Sequence, residues 1–132
     1  MSSIALAEDG NIEAIRSWLV SGADINVRNK SRKTPLMYAC QYLEEECVTE
    51  LLKLGANVNI TDKNGETALH YVVRNFDFDL KTTTERISKA LIKAGCDLTK
   101  RNKHNETFAE KLQSRDYDLA TKLEKWMKKL KK

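Results

Sequence analysis

Apolar residues in this chain come in short bursts at helical spacing, and polar stretches separate the bursts. Leu36, Ala39 and Cys40 fall at i, i+3 and i+4, and Cys47, Val48, Leu51 and Leu52 follow at i, i+1, i+4 and i+5. Each set lays one stripe along a short amphipathic helix. A later burst, Leu119, Ala120, Leu123, Trp126, Met127 and Leu130, runs at i, i+1, i+4, i+7, i+8 and i+11 and predicts a longer one. Helices as short as the first two are unstable alone, because nucleation is costly, so each must bury its stripe against a neighbour. The residues between the bursts punctuate accordingly. Thr34 and Pro35 suit an N-cap and first helical turn, and Gly55 and Gly95 sit where a helix ends in a left-handed cap. Asn64-Gly65 is a turn dipeptide, whereas Ser31-Arg32 in the equivalent place lacks the glycine.

Two phrases recur in step. Gly22-Ala23-Asp24-Ile25-Asn26 returns as Gly55-Ala56-Asn57-Val58-Asn59 and as Gly95-Cys96-Asp97-Leu98-Thr99, at intervals of 33 and 40 residues. Thr34-Pro35-Leu36-Met37-Tyr38-Ala39 returns as Thr67-Ala68-Leu69-His70-Tyr71-Val72 and Thr107-Phe108-Ala109-Glu110-Lys111-Leu112, at the same 33 and 40. At these residues the chain resembles the ankyrin repeat, with its period near 33 and its T-P-L-H-x-A and L-L-x-x-G-A-D-x-N phrases. The resemblance implies an all-α repeat solenoid, a stack of helix-turn-helix units with projecting β-hairpin fingers. About four repeats are expected in one domain, near 1–28, 29–61, 62–101 and 102–132. The middle two are complete and the outer two are caps. Small residues on the first helices (Ala5, Ala7, Ala39, Cys40) allow close approach of neighbours. The fingers are expected at Val27 to Lys33 and Ile60 to Glu66.

The resemblance also assigns His70 a structural role, bonding to backbone in the adjoining finger, and places partner contacts on the finger tips and the exposed face of the first helices. On that face stand Gln41, Tyr42, Arg74, Asn75, Ser114 and Arg115, with Tyr42 the best single anchor. The fingers carry Arg28, Lys30, Arg32 and Lys33, then Lys63, then Lys100, Arg101 and Lys103, a basic row that favours an acidic partner surface. Glu44-Glu45-Glu46 and Glu50 lie at the far end of the second repeat.

The longer interval locates an insertion of about seven residues within Asn75 to Thr84. Phe76-Asp77-Phe78-Asp79-Leu80 alternates apolar and acidic residues, and Thr82 with Glu85 predicts a capping box that starts the next helix. Phe76 and Phe78 either fold back over the end of the core or contact a partner, since large apolar side chains are rarely left wet without a use.

Length and composition narrow the function. A chain of 132 residues, 41% hydrophobic and 7% aromatic, makes one domain with little room for an internal substrate pocket. No phosphate-binding glycine loop, catalytic triad or metal cluster is recognisable, so a non-enzymatic module without cofactor is expected. Cys40, Cys47 and Cys96 are odd in number and widely spaced, which predicts buried free thiols in a reducing compartment, the cytoplasm or the nucleus. His104 falls on a finger tip. The net charge of +4 is uneven, because residues 122–132 hold six lysines and one glutamate. They make the last burst a basic amphipathic helix. It is read as the cap that seals the stack, with a rival in which it binds an anionic membrane or nucleic acid. The fit weakens after Leu123, where Glu124 replaces the second leucine, so the last turn is expected to fray. The reading is thus a monomeric protein–protein interaction module, an adaptor, inhibitor or assembly factor, with no small-molecule substrate.

Overall fold

The computed structural model describes residues 24–74 and 77–130, together with Glu13, Arg16, Ser17, Val20, Ser21 and Gly22. Most of the repeat expected over 1–28, with Ala5 and Ala7, lies outside the described residues, as do Asn75, Phe76, Lys131 and Lys132. Glu13, Arg16, Ser17 and Val20 are helical, and among the described residues from 24 onward six α-helices follow in order: α1 (Pro35–Gln41), α2 (Glu45–Lys53), α3 (Ala68–Arg74), α4 (Lys81–Lys93), α5 (Phe108–Arg115) and α6 (Tyr117–Leu130). They form three hairpins. Within the stack α1, α3 and α5 pack in one row and α2, α4 and α6 in a second.

Local chemistry sets the helix ends. The Thr34 hydroxyl accepts the Met37 amide at 3.3 Å with Pro35 following at the first helical position, and Thr107 and Glu110 close a reciprocal capping box on α5. Gly55 and Gly95 turn the chain off α2 and α4 at φ 92 and 94, a region open to glycine at little steric cost.

Burial follows position in the stack. α3 lies between α1 and α5, and every residue from Ala68 to Val73 is buried. α5 has a neighbour on one side only and buries Phe108 and Leu112. The stripes expected from sequence are in the core, including Leu36, Ala39, Cys40, Cys47, Val48 and Leu51, as are all three free cysteines. Fully burying a leucine or valine stabilises by about 1.5–3 kcal/mol, so the stack rests on these contacts. The outer row is laced by exposed ion pairs between successive hairpins: Arg16–Glu50 at 2.9 Å, Arg86–Glu45 at 2.9 Å and Lys122–Glu85 at 3.1 Å. Solvent screening leaves exposed pairs of this kind with little effect on stability.

The seven extra residues of the third repeat are divided between a loop and a helix. The α3–α4 connection spans 75–80 where the α1–α2 connection spans 42–44, and α4 has 13 residues against 9 in α2. The expected capping box at Thr82 and Glu85 does not form. A 3-10 turn, Phe78–Leu80, capped by the Asp77 carboxylate on the Asp79 amide, runs straight into α4, which starts at Lys81. Thr82 is therefore already helical. Phe78 does not fold back over the core either; it is 71% exposed.

At the other end, α6 buries Leu119, Ala120 and Leu123 and lays Trp126 beneath Lys89 and Lys93, whose ammonium groups stand 5.1 and 5.9 Å from the ring. The helix continues past Glu124 to Leu130. No helix among the described residues is long and apolar enough to cross a membrane.

Candidate partner-binding surface

The expected β-hairpin fingers are tight turns; no strand occurs among the described residues. Each is built by the residue that opens it. Asn29 Oδ1 accepts the amides of Ser31 and Lys33 at 2.9 and 3.0 Å, Asp62 Oδ1 those of Asn64 and Glu66 at 2.8 and 2.9 Å, and Asn102 Oδ1 those of His104 and Glu106, both at 3.0 Å. Backbone bonds complete the same turn three times, with Asn29, Asp62 and Asn102 amides donating to the carbonyls of Lys33, Glu66 and Glu106. The fourth residue is left-handed in every copy: Arg32, Gly65 and Asn105 have φ 63, 73 and 61. The turn thus closes without glycine in two of its three copies, because the side chain of the first residue holds it.

The turns are chained to one another. The Lys63 amide donates to Ser31 O at 3.1 Å and the Lys103 amide to Asn64 O at 2.8 Å. Lys30, Lys63 and Lys103 occupy the second position of successive turns and are all exposed, as are Arg28, Arg32, Lys100 and His104. This is the basic edge expected from sequence. Helices pack about 8–10 Å apart, so the lysines recur at roughly that interval.

Behind the turns, several expected partner residues are already occupied. Lys33 Nζ lies 5.0 Å from the Tyr38 ring and 5.1 Å from the Tyr71 ring. Arg74 stacks 5.3 Å from the Tyr71 ring and stands 3.8 Å from Glu66, which also binds Lys111 at 3.0 Å. Arg101 bonds to Glu110 at 2.6 Å and to Asn105 O at 2.9 Å. These cations brace the turns. The Tyr71 hydroxyl donates to Asp62, and burial together with that carboxylate pushes the phenol above its usual range.

His70 does what the resemblance implied. Its Nε2 donates to Glu106 O at 2.9 Å in the following turn, and Nδ1 accepts the Thr67 amide at 3.1 Å, which sets one tautomer. Both nitrogens are engaged in holding one repeat to the next. Burial pushes the Cys40 thiol well above its usual range, that of Cys47 up to about 12 and that of Cys96 up to about 11. No group of three or more His, Cys, Asp or Glu side chains suited to a metal occurs among the described residues.

The remaining expected residues lie elsewhere. Gln41 and Tyr42 end α1, Phe78 follows α3, and Arg115 ends α5, so they share the edge at the C-terminal ends of the inner helices. The turns precede the N-terminal ends. Asn75 and Phe76, expected beside them, lie outside the described residues. A helix of seven residues, such as α3, is about 10 Å long, so the expected contact set is divided between two edges. Leu80 and Tyr117, 43% and 66% exposed, were not anticipated on the second edge. The available signal was that Tyr117 follows α5 much as Tyr42 follows α1.

A family model of ankyrin repeats, three copies, matches residues 3–102. No curated protein matches the chain. With three in-register turns and hairpins behind that match, the chain belongs to the ankyrin-repeat family, whose repeats generally mediate protein–protein interaction.

Proposed function

We propose that the chain is a non-enzymatic adaptor, inhibitor or assembly factor, a monomer of the cytoplasm or nucleus, that binds a protein with an acidic surface patch through its turn edge. The observation that carries this reading is the register of Lys30, Lys63 and Lys103 at the exposed second position of chained turns. A row of like charge on a rigid backbone attracts an oppositely charged surface and accelerates encounter, while the ordering cost on binding stays low. Arg28 and Arg32 widen the row; Lys33 and Arg101 support it from behind.

The test is an affinity capture with the intact chain as bait, repeated with Arg28→Glu and Lys30→Glu. Affinity for the captured partner should fall at least tenfold and depend steeply on salt, while the melting temperature is unchanged. Unchanged affinity would refute the turn edge as the site. The anionic-surface alternative is less well supported, since α6 is engaged through Leu119, Ala120, Leu123 and Lys122. Liposome or polynucleotide binding that disappears on deletion of residues 124–132 would establish it instead.

A further inference from the structure

The edge opposite the turns carries wet aromatic side chains on successive hairpins. Tyr42 is 47% exposed, Phe78 71% and Tyr117 66%, with Leu80 beside them. Aromatic side chains offer roughly 200 Å² each, so these three rings together leave on the order of 350 Å² exposed.

Their placement is held by the fold. Leu43 takes a left-handed conformation at φ 52, which a residue with a Cβ adopts at some cost, and Leu43 packs on the core while its neighbour Tyr42 stays outside. Phe78 rides on the 3-10 turn that Asp77 caps. Lys81, directly after that turn, reaches Asp116 at 2.9 Å and ties the Phe78 segment to the residue preceding Tyr117.

Carboxylates surround the rings. Asp77 and Asp79 flank Phe78, and Asp118 follows Tyr117; all three are exposed. Glu44 and Glu46 follow Tyr42, at the start of α2. Acidic residues at the starts of α2, α6 and the 3-10 turn also suit helix N-termini, with Asp77 as a cap, but that local role does not account for the exposed rings beside them. The cations of this edge among the described residues are Arg115, Arg74, which stacks on Tyr71, and the ion-paired Lys81.

We propose that this edge is a second docking surface, independent of the basic turn edge, and that its occupant is an extended, arginine- or lysine-rich segment of another protein. The charge is complementary, and an aromatic face flanked by carboxylates receives a guanidinium through cation–π stacking and a charge-assisted bond together. The rings stand one, four and two residues past the ends of α1, α3 and α5, and an extended segment without fixed structure of its own adapts to that uneven placement. Bound at both edges, the stack would bridge an acidic and a basic partner.

The test uses the full chain and a fluorescein-labelled peptide of three Arg-Pro-Ser units, with the glutamate analogue of the same peptide as control. Anisotropy should show saturable binding of the arginine peptide and none of the glutamate peptide. Phe78→Ser should weaken binding at least tenfold and Asp79→Lys at least tenfold, both without a shift in melting temperature, since both side chains are exposed. Lys30→Glu with Lys63→Glu should leave binding within twofold of wild type or tighten it, which separates this edge from the other. Amide shifts on titration should concentrate at 42–46, 77–80 and 115–118. Absence of saturable binding up to millimolar peptide, or binding indifferent to Phe78→Ser, or shifts confined to the outer faces of α2 and α4, would each overturn the proposal.

Discussion

Asp116 closes the hinge between α5 and α6, and its replacement by alanine measures what that hinge contributes. Oδ1 accepts the Leu119 amide at 3.1 Å and so caps α6, while Oδ2 meets Lys81 Nζ at 2.9 Å across the repeat boundary. Loss of an N-cap side chain costs about 1 kcal/mol. Removing the negative charge from the N-terminus of α6 adds about 0.5 kcal/mol. Loss of an ion pair to a partly exposed lysine adds a further ~0.5 kcal/mol. Asp116→Ala is therefore expected to lower stability by about 2 kcal/mol, a fall in Tm on the order of 5–8 °C for a chain of this size. Asp116→Asn separates the contributions, because asparagine caps as well as aspartate. It should lose about 1 kcal/mol, the charge part alone.

The two variants also differ from wild type in how they respond to acid. The Lys81 contact, and then the Leu119 amide, hold the Asp116 carboxyl below its usual range. A carboxylate with a depressed folded pKa stabilises the fold above its unfolded value, near 4, and that contribution is lost as pH falls through the folded value. The gap between wild type and Asp116→Asn should thus be complete at pH 7 and shrink below about pH 4. Urea titrations followed by circular dichroism at pH 7 and at successive acidic values give these gaps, and Lys81→Met in each background gives the coupling. An asparagine variant as damaged as the alanine variant would refute the capping role. A gap that widens on acidification would refute the sign of the linkage.

Three further perturbations bear on the packing. Gly65→Ala should cost about 1–2 kcal/mol in thermal unfolding, since at φ 73 the new methyl would meet Arg101 O at 3.2 Å and the Asn102 Cα at 3.3 Å; Arg32→Gly at the equivalent place should leave stability within ~0.5 kcal/mol. Thr84 and Ser88 are fully buried on α4 with hydroxyls that find no hydrogen-bond partner among the described residues, so Ser88→Ala should raise stability by up to about 1 kcal/mol in urea titration. The three buried thiols, raised by desolvation, should react with a thiol reagent at pH 8 only as fast as the stack opens, and a rapid stoichiometric labelling of native protein would contradict their burial.

Local, repeated signals were legible in the sequence. Thr34-Pro35, Gly55 and Gly95 have the conformations their residue types ask for, and the apolar stripes are buried as spaced. Where two local signals competed, the reading went astray. Thr82 and Glu85 spell a capping box, yet an upstream turn capped by Asp77 reaches α4 first. At Ser31-Arg32 the missing glycine suggested a poorer turn, but the stabilising group is the Asn29 side chain three residues earlier, and the turn closes with arginine at the left-handed place.

The division of the contact residues into two edges was illegible for a different reason. Lys33, Arg74 and Arg101 look like any exposed cations in the sequence, and the ring or carboxylate that each engages is brought close only by folding. Tyr38 and Tyr71 fall at the same place in consecutive repeats, and Lys33 lies against both rings. Repetition therefore places side chains in rows across the stack, and a row acquires meaning only when its members are compared. Lys30, Lys63 and Lys103 form a row of exposed charge, and Tyr42, Phe78 and Tyr117 form a row of exposed rings at the other ends of the same helices. A single exposed lysine or tyrosine needs no explanation. Three lysines in register on a rigid stack present one partner with the same chemistry three times, and that repetition makes the turn edge a candidate for recognition; the rings gather on the opposite edge from non-equivalent positions and form a candidate by their shared exposure.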